Sequence, residues 1–219
     1  MDSEFKAQVD LSNENTLKIL KDNTIGLEEK ARILECSTDE LFQNVYDLEG
    51  KAIQETPFRS NYTLTDALDN GRLDGKTVLD LGCNCGRYLI EAITLGAEYV
   101  IGVDYKEYFP KFIEYLNIGD RAEFVKANII TYKPEKEVDI VLLFDLMCYF
   151  SEEDVDKILD NMISYAKEKI LIIDVFSGDY SHYVYKVMKI ARSKGKKFKI
   201  RNINDEGKNY IVKLISIEI

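Results

Sequence analysis

The chain is poor in the residues that hold metals. Its 219 residues contain one histidine, His182, and no C-x-x-C pair, too few ligands for a common zinc site. No apolar run approaches the roughly 20 residues that a bilayer-spanning helix needs. The opening Met1-Asp2-Ser3-Glu4 is acidic and lacks the apolar core of a secretory signal. Cys36, Cys83, Cys85 and Cys148 are the four cysteines, and Cys83 and Cys85 stand too close for an ordinary disulfide. These absences lead to the expectation of a metal-free, cytoplasmic protein that makes no use of a membrane. Positive charge is also short: 29 Lys and Arg face 39 Asp and Glu, a formal charge of −10. Such a chain is repelled at long range by nucleic acids and anionic membranes, unless a local basic patch overrides the repulsion.

What is present is an ordinary core-forming composition, 46% hydrophobic, enough for one substantial core with or without an appendage. From about residue 71 onward, apolar runs and helical periods alternate. Strands are predicted at Thr77 to Leu81, Tyr99 to Val103, Ala122 to Lys126, Asp139 to Phe144 and Lys169 to Val175. Helices are predicted at Arg87 to Leu95 (stopped by Gly96), around Tyr108 to Leu116 with Pro110 in the first turn, from Asp154 to Ala166 behind the capping sequence Ser151-Glu152-Glu153-Asp154, and from Tyr180 to Arg192. Strands near Phe198 to Ile203 and Tyr210 to Ile217, joined through Gly207, read as an antiparallel hairpin. Strands alternating with helices imply an α/β fold, a doubly wound sheet covered on both faces.

Residues 1–70 read differently. Asn13 to Leu20, Leu27 to Leu34 and Leu41 to Ile53 carry helical patterns, with Ser37-x-x-Glu40 as a capping box for the third. No repeat, low-complexity linker or Pro/Gly-rich hinge separates them from residues 71–219. They are expected to form a helical extension packed on the core as a lid. Its last stretch, Thr56 to Tyr62, combines a proline turn, two aromatics and Arg59.

The segment Thr77-Val78-Leu79-Asp80-Leu81-Gly82-Cys83-Asn84-Cys85-Gly86-Arg87 carries the chemistry. A strand ending in an acidic residue runs through a glycine-bounded turn into a helix. About 22 residues past Gly82, the next strand ends in Asp104. Glycines let the backbone turn sharply and admit a ligand to contact distance. A carboxylate at the carboxyl end of the neighbouring strand can accept both hydroxyl hydrogens of a ribose. The dinucleotide fingerprint G-x-G-x-x-G fails here, because Asn84 replaces the middle glycine and Arg87 follows Gly86. A nucleoside cofactor without a pyrophosphate fits better, and a nicotinamide oxidoreductase is disfavoured.

Leu79 to Gly86 followed by Ile101 to Asp104 resembles the first two motifs of the class I S-adenosylmethionine-dependent methyltransferases. The resemblance implies a Rossmann-like sheet of seven strands, the last antiparallel. Its cofactor would be S-adenosyl-L-methionine, released as S-adenosyl-L-homocysteine. Asp80 and the Gly82, Cys83, Asn84 and Gly86 loop would hold the methionine half, and Asp104 with Tyr105 the ribose side. Asn128 and Ile129 would meet the adenine, although the family's usual residue at the first of these is Asp. Asp145 and Leu146 would lie beside the reactive end. Arg59 either neutralises the methionine carboxylate or belongs to an ordinary surface connection, and Tyr62 either walls the methyl site or does the same.

Methyl transfer from a sulfonium needs alignment and exclusion of water, and a base only if the acceptor arrives protonated. Asp145, Tyr149 and His182 are the candidates for that base. Each has a plainer reading: a cofactor contact, a packing residue and a surface histidine. The loop after the fourth strand lacks the (Asn/Asp)-Pro-Pro-(Tyr/Phe) motif of nucleic-acid amino-methyltransferases, and Cys148 lacks the Pro-Cys context of cytosine-C5 enzymes. The leading expectation is transfer to an oxygen or nitrogen of a small-molecule metabolite. The alternatives are a tRNA or protein methyltransferase gripping its substrate through the basic stretch Lys186 to Arg201, and a binding module without catalysis. Eight of the residues in that stretch are basic and none is acidic. Its plainer reading is a solvated helix face running into lysine-protected edge strands.

Overall fold

The computed structural model describes residues 62–69, 71–107, 110, 113–114, 116–175, 181–203 and 212–219, together with 22, 24, 45–49 and 52–54. The proposed helices Asn13 to Leu20 and Leu27 to Leu34, and Arg59, lie outside these residues. The third N-terminal helix is replaced. Val45–Tyr46 (β1) and Ala52–Gln54 (β2) form a two-stranded antiparallel ribbon. The local chemistry explains the change. Val45, Tyr46 and Ile53 favour extended backbone, and Asp47 Oδ1 accepts the Glu49 N–H at 3.2 Å, a turn that competes with helix. β1 lies against the first long core helix, and Leu48 packs on the core beneath.

The short helix α1 (Leu64–Ala67) opens the core with a reciprocal cap between Thr63 and Asp66. There follow β3 (Thr77–Leu81), α2 (Arg87–Thr94), β4 (Tyr99–Asp104), β5 (Ala122–Lys126) and β6 (Val138–Phe144). After a 3-10 turn at Met147–Tyr149 come α3 (Glu152–Tyr165), β7 (Ala166–Val175), α4 (Ser181–Ser193), β8 (Lys197–Ile203) and β9 (Val212–Glu218). Of residues 108–116, positions 110, 113 and 114 are helical.

The seven core strands form one sheet in the order β5-β4-β3-β6-β7-β9-β8. Only β9 runs against the others, pairing antiparallel with both β7 and β8. The continuous apolar runs of the central strands follow from their two-sided burial. Alternate residues divide between two cores. Val78, Val100, Leu142, Leu171 and Leu214 face α1 and α2, whereas Leu79, Val103, Val141, Ile172 and Ile215 face α3 and α4. Burying each such side chain contributes about 1.5–3 kcal/mol. Val138 sides with Val141 because the ladder slips between Val138 and Ile140.

Helix ends follow their caps. α2 stops in a Schellman arrangement in which Gly96 N–H donates to Ile93 O and Ala97 N–H to Ala92 O, with Gly96 at φ 99°. α3 starts at Ser151, whose hydroxyl accepts the Asp154 N–H at 3.2 Å. β7 begins three residues before its predicted start. The chain leaves α3 directly into extended backbone at Ala166, which pairs with Val138.

Candidate functional site

The strand order reverses between β3 and β6, so the crevice beyond their carboxyl ends is where such a sheet binds ligands. β3 delivers Asp80, 2% exposed, to that edge, and β4 delivers Asp104, 7% exposed. The intervening loop turns through left-handed backbone at Gly82 (φ 78°), Asn84 (φ 48°) and Gly86 (φ 77°). Asn84 can stand where a glycine is usual because Asn tolerates this conformation better than other side chains. At Gly82 the requirement is also spatial, since a Cβ would lie 2.2 Å from Leu146 Cδ1.

The loop is tied to β4. Gly82 N–H and Cys83 N–H both donate to Val103 O, at 2.7 and 3.1 Å. Asn84 N–H donates to Asp104 Oδ2 at 2.9 Å, and Lys106 N–H to Oδ1 at 3.0 Å. Asp104 is thereby fixed in orientation, while each oxygen keeps a lone pair for a ligand hydroxyl. Gly86, in left-handed backbone, caps α2 with no side-chain hydrogen bond.

Two features fit a cationic nucleoside ligand. Burial, reinforced by the charge of Asp104, pushes the Asp80 carboxyl up to about 8. Asp80 thus keeps its proton near neutral pH until a positive ligand favours the ionised form, and S-adenosylmethionine carries a sulfonium and an ammonium. Asn84 Oδ1 is buried with no hydrogen-bond partner, an acceptor suited to a ligand N–H or O–H. Burial also raises the Cys83 thiol well above its ordinary range, so this cysteine serves packing. Cys85 is likewise buried.

The other sequence-predicted residues spread along the same edge. Tyr105 is 68% exposed, with the Lys106 ammonium 5.5 Å from its ring centroid. Asn128 is exposed and its Oδ1 accepts the Ile130 N–H at 2.9 Å, whereas Ile129 is buried in the α3/α4 core. Asp145 follows β6 in left-handed backbone, φ 56°, and its N–H donates to Ile173 O at 2.8 Å. Tyr62, 3% exposed, donates its hydroxyl hydrogen to Asp145 Oδ2. Leu146 closes on Gly82, and Tyr149 is 76% exposed in the 3-10 turn. His182 sits at the start of α4, exposed, 3.9 Å from Glu152 at the start of α3. The structure thus gathers Asp80, the loop, Asp104, Leu146 and Asp145, and places His182 on the rim formed by α3 and α4.

Two arrangements escaped the sequence reading. Asp174, 4% exposed near the end of β7, accepts the Met147 N–H at 2.6 Å and fixes the 3-10 turn. Its signal was available, because Asp174 follows an apolar run just as Asp80, Asp104 and Asp145 do. The second is a buried tie. Arg87 pairs with Glu91 at 3.0 Å and donates to Tyr62 O at 2.9 Å, and Glu91 accepts the Leu64 N–H at 2.6 Å. Tyr62 also stacks parallel to Tyr88, with centroids 6.2 Å apart. Among the described residues no group of acids, cysteines and histidine could hold a metal ion, and no helix is long and apolar enough to cross a membrane.

A sheet wound in this order around such a loop defines the class I S-adenosylmethionine-dependent methyltransferases, and this chain has their fold. Residues 78–169 match the family described as a methyltransferase domain. Among curated relatives, the chain is 32% identical to the ribosomal protein L11 methyltransferase of Alteromonas mediterranea over 124 residues, 55% of this chain and 39% of that protein. It is 27% identical to the tRNA U34 carboxymethyltransferase of Haemophilus influenzae over 128 residues, 56% of this chain and 40% of that protein. The matched region thus spans about two fifths of the length of these relatives. Among solved structures, magnesium protoporphyrin IX methyltransferase from Synechocystis, with bound S-adenosylmethionine, superposes with a TM-score of 0.59 at 21% identity, over 71% of this chain and 75% of that one.

Proposed function

We propose that the chain transfers the methyl group of S-adenosylmethionine to an oxygen or nitrogen of a small molecule. The observation that carries this reading is the pair of buried carboxylates, Asp80 and Asp104, flanking a left-handed loop at the switch point of the sheet. Asp104 would hold the ribose hydroxyls. Asp80, the loop N–H groups and the start of α2 would hold the methionine half. The bound cofactor supplies an already activated methyl group. The chain's own task is then to align an acceptor beyond Asp145 and keep water out, and Tyr62 and Leu146 are placed to close that end. Residues 1–70 complete the cover in this reading, with β1 already seated on α2.

A macromolecular substrate is favoured by the names of the two curated relatives, but the charge distribution favours a small one. Three of the eight basic residues of that stretch are held by acids: Lys186 pairs with Glu152 and Asp156, Lys194 with Asp160, and Arg201 with Asp69. β8 also starts at Lys197, at the end of the sheet opposite the crevice. The test is calorimetric titration with S-adenosylmethionine and S-adenosylhomocysteine, followed by homocysteine-release screening of metabolites beside tRNA and ribosomal protein. Micromolar binding with turnover of a metabolite supports the proposal. Turnover of tRNA or protein alone, falling steeply with salt, reassigns the substrate, and failure of both ligands to bind removes the cofactor.

A further inference from the structure

The loop between β3 and α2 holds a polar atom that the fold leaves unused. Both backbone polar atoms of Asn84 are engaged. Its N–H donates to Asp104 Oδ2 at 2.9 Å, and its carbonyl oxygen accepts from the Cys83 thiol at 3.8 Å. Its side-chain Oδ1, by contrast, is buried without a hydrogen-bond partner. Left-handed backbone, φ 48°, explains why this position takes glycine or asparagine. It does not explain why an acceptor is kept there. An asparagine that serves a turn hydrogen-bonds a nearby backbone group, as Asn128 does with the Ile130 N–H. A glycine at 84 would meet the backbone requirement without burying an unpaired acceptor, which is costly.

We propose, resting on the methyltransferase reading above, that Asn84 Oδ1 accepts a hydrogen bond from the α-ammonium of the cofactor and thereby selects nucleosides that carry an amino acid. The choice among the cofactor's donors follows from what its other groups already have. In that reading the ribose hydroxyls meet Asp104, whose oxygens each take one backbone N–H and keep a lone pair. The adenine amino group goes beyond β5, on the far side of β4 from this loop, where Asn128 stands. The ammonium remains. It brings three N–H donors to the β3 side of the site, where Asp80 and Asn84 are.

The two residues divide the work. Asp80 supplies charge once the ammonium has favoured its ionised form, and Asn84 supplies a neutral acceptor at a fixed place. That place is set before a ligand arrives, because the Gly82, Cys83 and Asn84 N–H groups all bond to β4. A buried acceptor also discriminates against an analogue that brings no donor, since the acceptor then stays unpaired in a closed site. The loop thus filters out thioether nucleosides that share the adenosine but lack the amino acid.

The test is calorimetric titration of the full chain with S-adenosylhomocysteine and its deamino analogue, in which a hydrogen replaces the α-ammonium. The wild type should bind the first at least about tenfold tighter, as a hydrogen bond to a charged group requires; equal binding overturns the proposal. Asn84→Gly suits the left-handed backbone and removes the acceptor. It should weaken S-adenosylhomocysteine by about tenfold or more and change the deamino analogue by less than about twofold. Equal weakening of both ligands would put Oδ1 on the ribose, and weakening of neither would leave the acceptor idle; each overturns the proposal. Asn84→Asp keeps an acceptor at the same place and should keep the preference, and loss of the preference there traces it to loop shape and overturns the proposal too. Thermal unfolding without ligand adds a readout apart from binding. Asn84→Gly should unfold no lower than the wild type, because the buried acceptor is gone and the backbone is eased. A fall of more than about 2 °C would mean that Asn84 serves the fold and not the ligand. A wild-type chain that binds neither compound loses the cofactor reading, and the proposal with it, whereas every other adverse result leaves the cofactor site standing.

Discussion

At the scale of single residues, the site depends on how little freedom its acids have. Two backbone N–H groups hold Asp104, so its carboxylate is oriented before a ligand arrives. Asp104→Ala should weaken S-adenosylmethionine binding by about 1.5–3 kcal/mol, the range for hydrogen bonds to a charged group. Calorimetry checks this, and unchanged affinity in a folded variant removes the ribose contact. Asp80 gives a prediction in pH. Its folded pKa, about 8, lies above the ordinary 3.8, so the native state holds a proton that the unfolded chain releases. This group's contribution to stability is therefore present at low pH and is lost as pH rises from about 4 to about 8. A cationic ligand favours the ionised form. S-adenosylmethionine affinity should thus rise between pH 5.5 and 7.5, with proton release visible as a dependence of binding heat on the buffer's ionisation heat, on the order of one proton at most. S-adenosylhomocysteine, lacking the sulfonium, should show less of both. Asp80, Gly82, Asn84, Gly86 and Asp104 were legible in the sequence because strand, turn and acid follow at fixed spacing. Asp174 carries the same mark, an acid after an apolar run, but its use, a bond to the Met147 N–H, is made by folding and has no sequence spacing.

Among the elements, α2 does more than cover the sheet. Its Arg87–Glu91 pair grips the backbone of Tyr62 and Leu64 and sets the segment that meets Asp145. Arg87→Met would leave Glu91 partly buried without its partner and the Tyr62 carbonyl without its donor. Breaking a buried pair costs about 3 kcal/mol or more, so Tm should fall by roughly 6–12 °C for a chain of this size. A shift under about 2 °C in thermal unfolding would mean the tie carries little. The sequence reading located the central strands because two-sided burial writes unbroken apolar runs, and the helix ends at Gly96 and Ser151 because caps are local, but it passed over α1 and its Thr63–Asp66 cap. It failed at residues 45–49 and 52–54, where the apolar spacing suits a helix and the Asp47 turn with its β-branched neighbours prevails. Partners distant in sequence, such as Tyr62 with Asp145, leave no local pattern.

For the whole molecule, charge and topology set the limits. With a formal charge of −10 and three of the eight basic residues in its basic stretch paired with acids, the protein should show no tRNA retention at about 0.15 M salt, checked by filter binding. Strong, salt-sensitive retention would restore that stretch as a substrate handle. The sheet order has a further consequence. β9 lies between β7 and β8, so the strand that comes last joins two that come earlier. During synthesis β8 has no neighbour to pair with, and β7 keeps a bare apolar edge, until β9 has emerged from the ribosome. A chain stopped after Ile203 should therefore be insoluble rather than merely less stable, which partition between pellet and supernatant would show. The nascent protein cannot close its sheet piecemeal, and whatever shields that edge in the cell must act until β9 is free to insert.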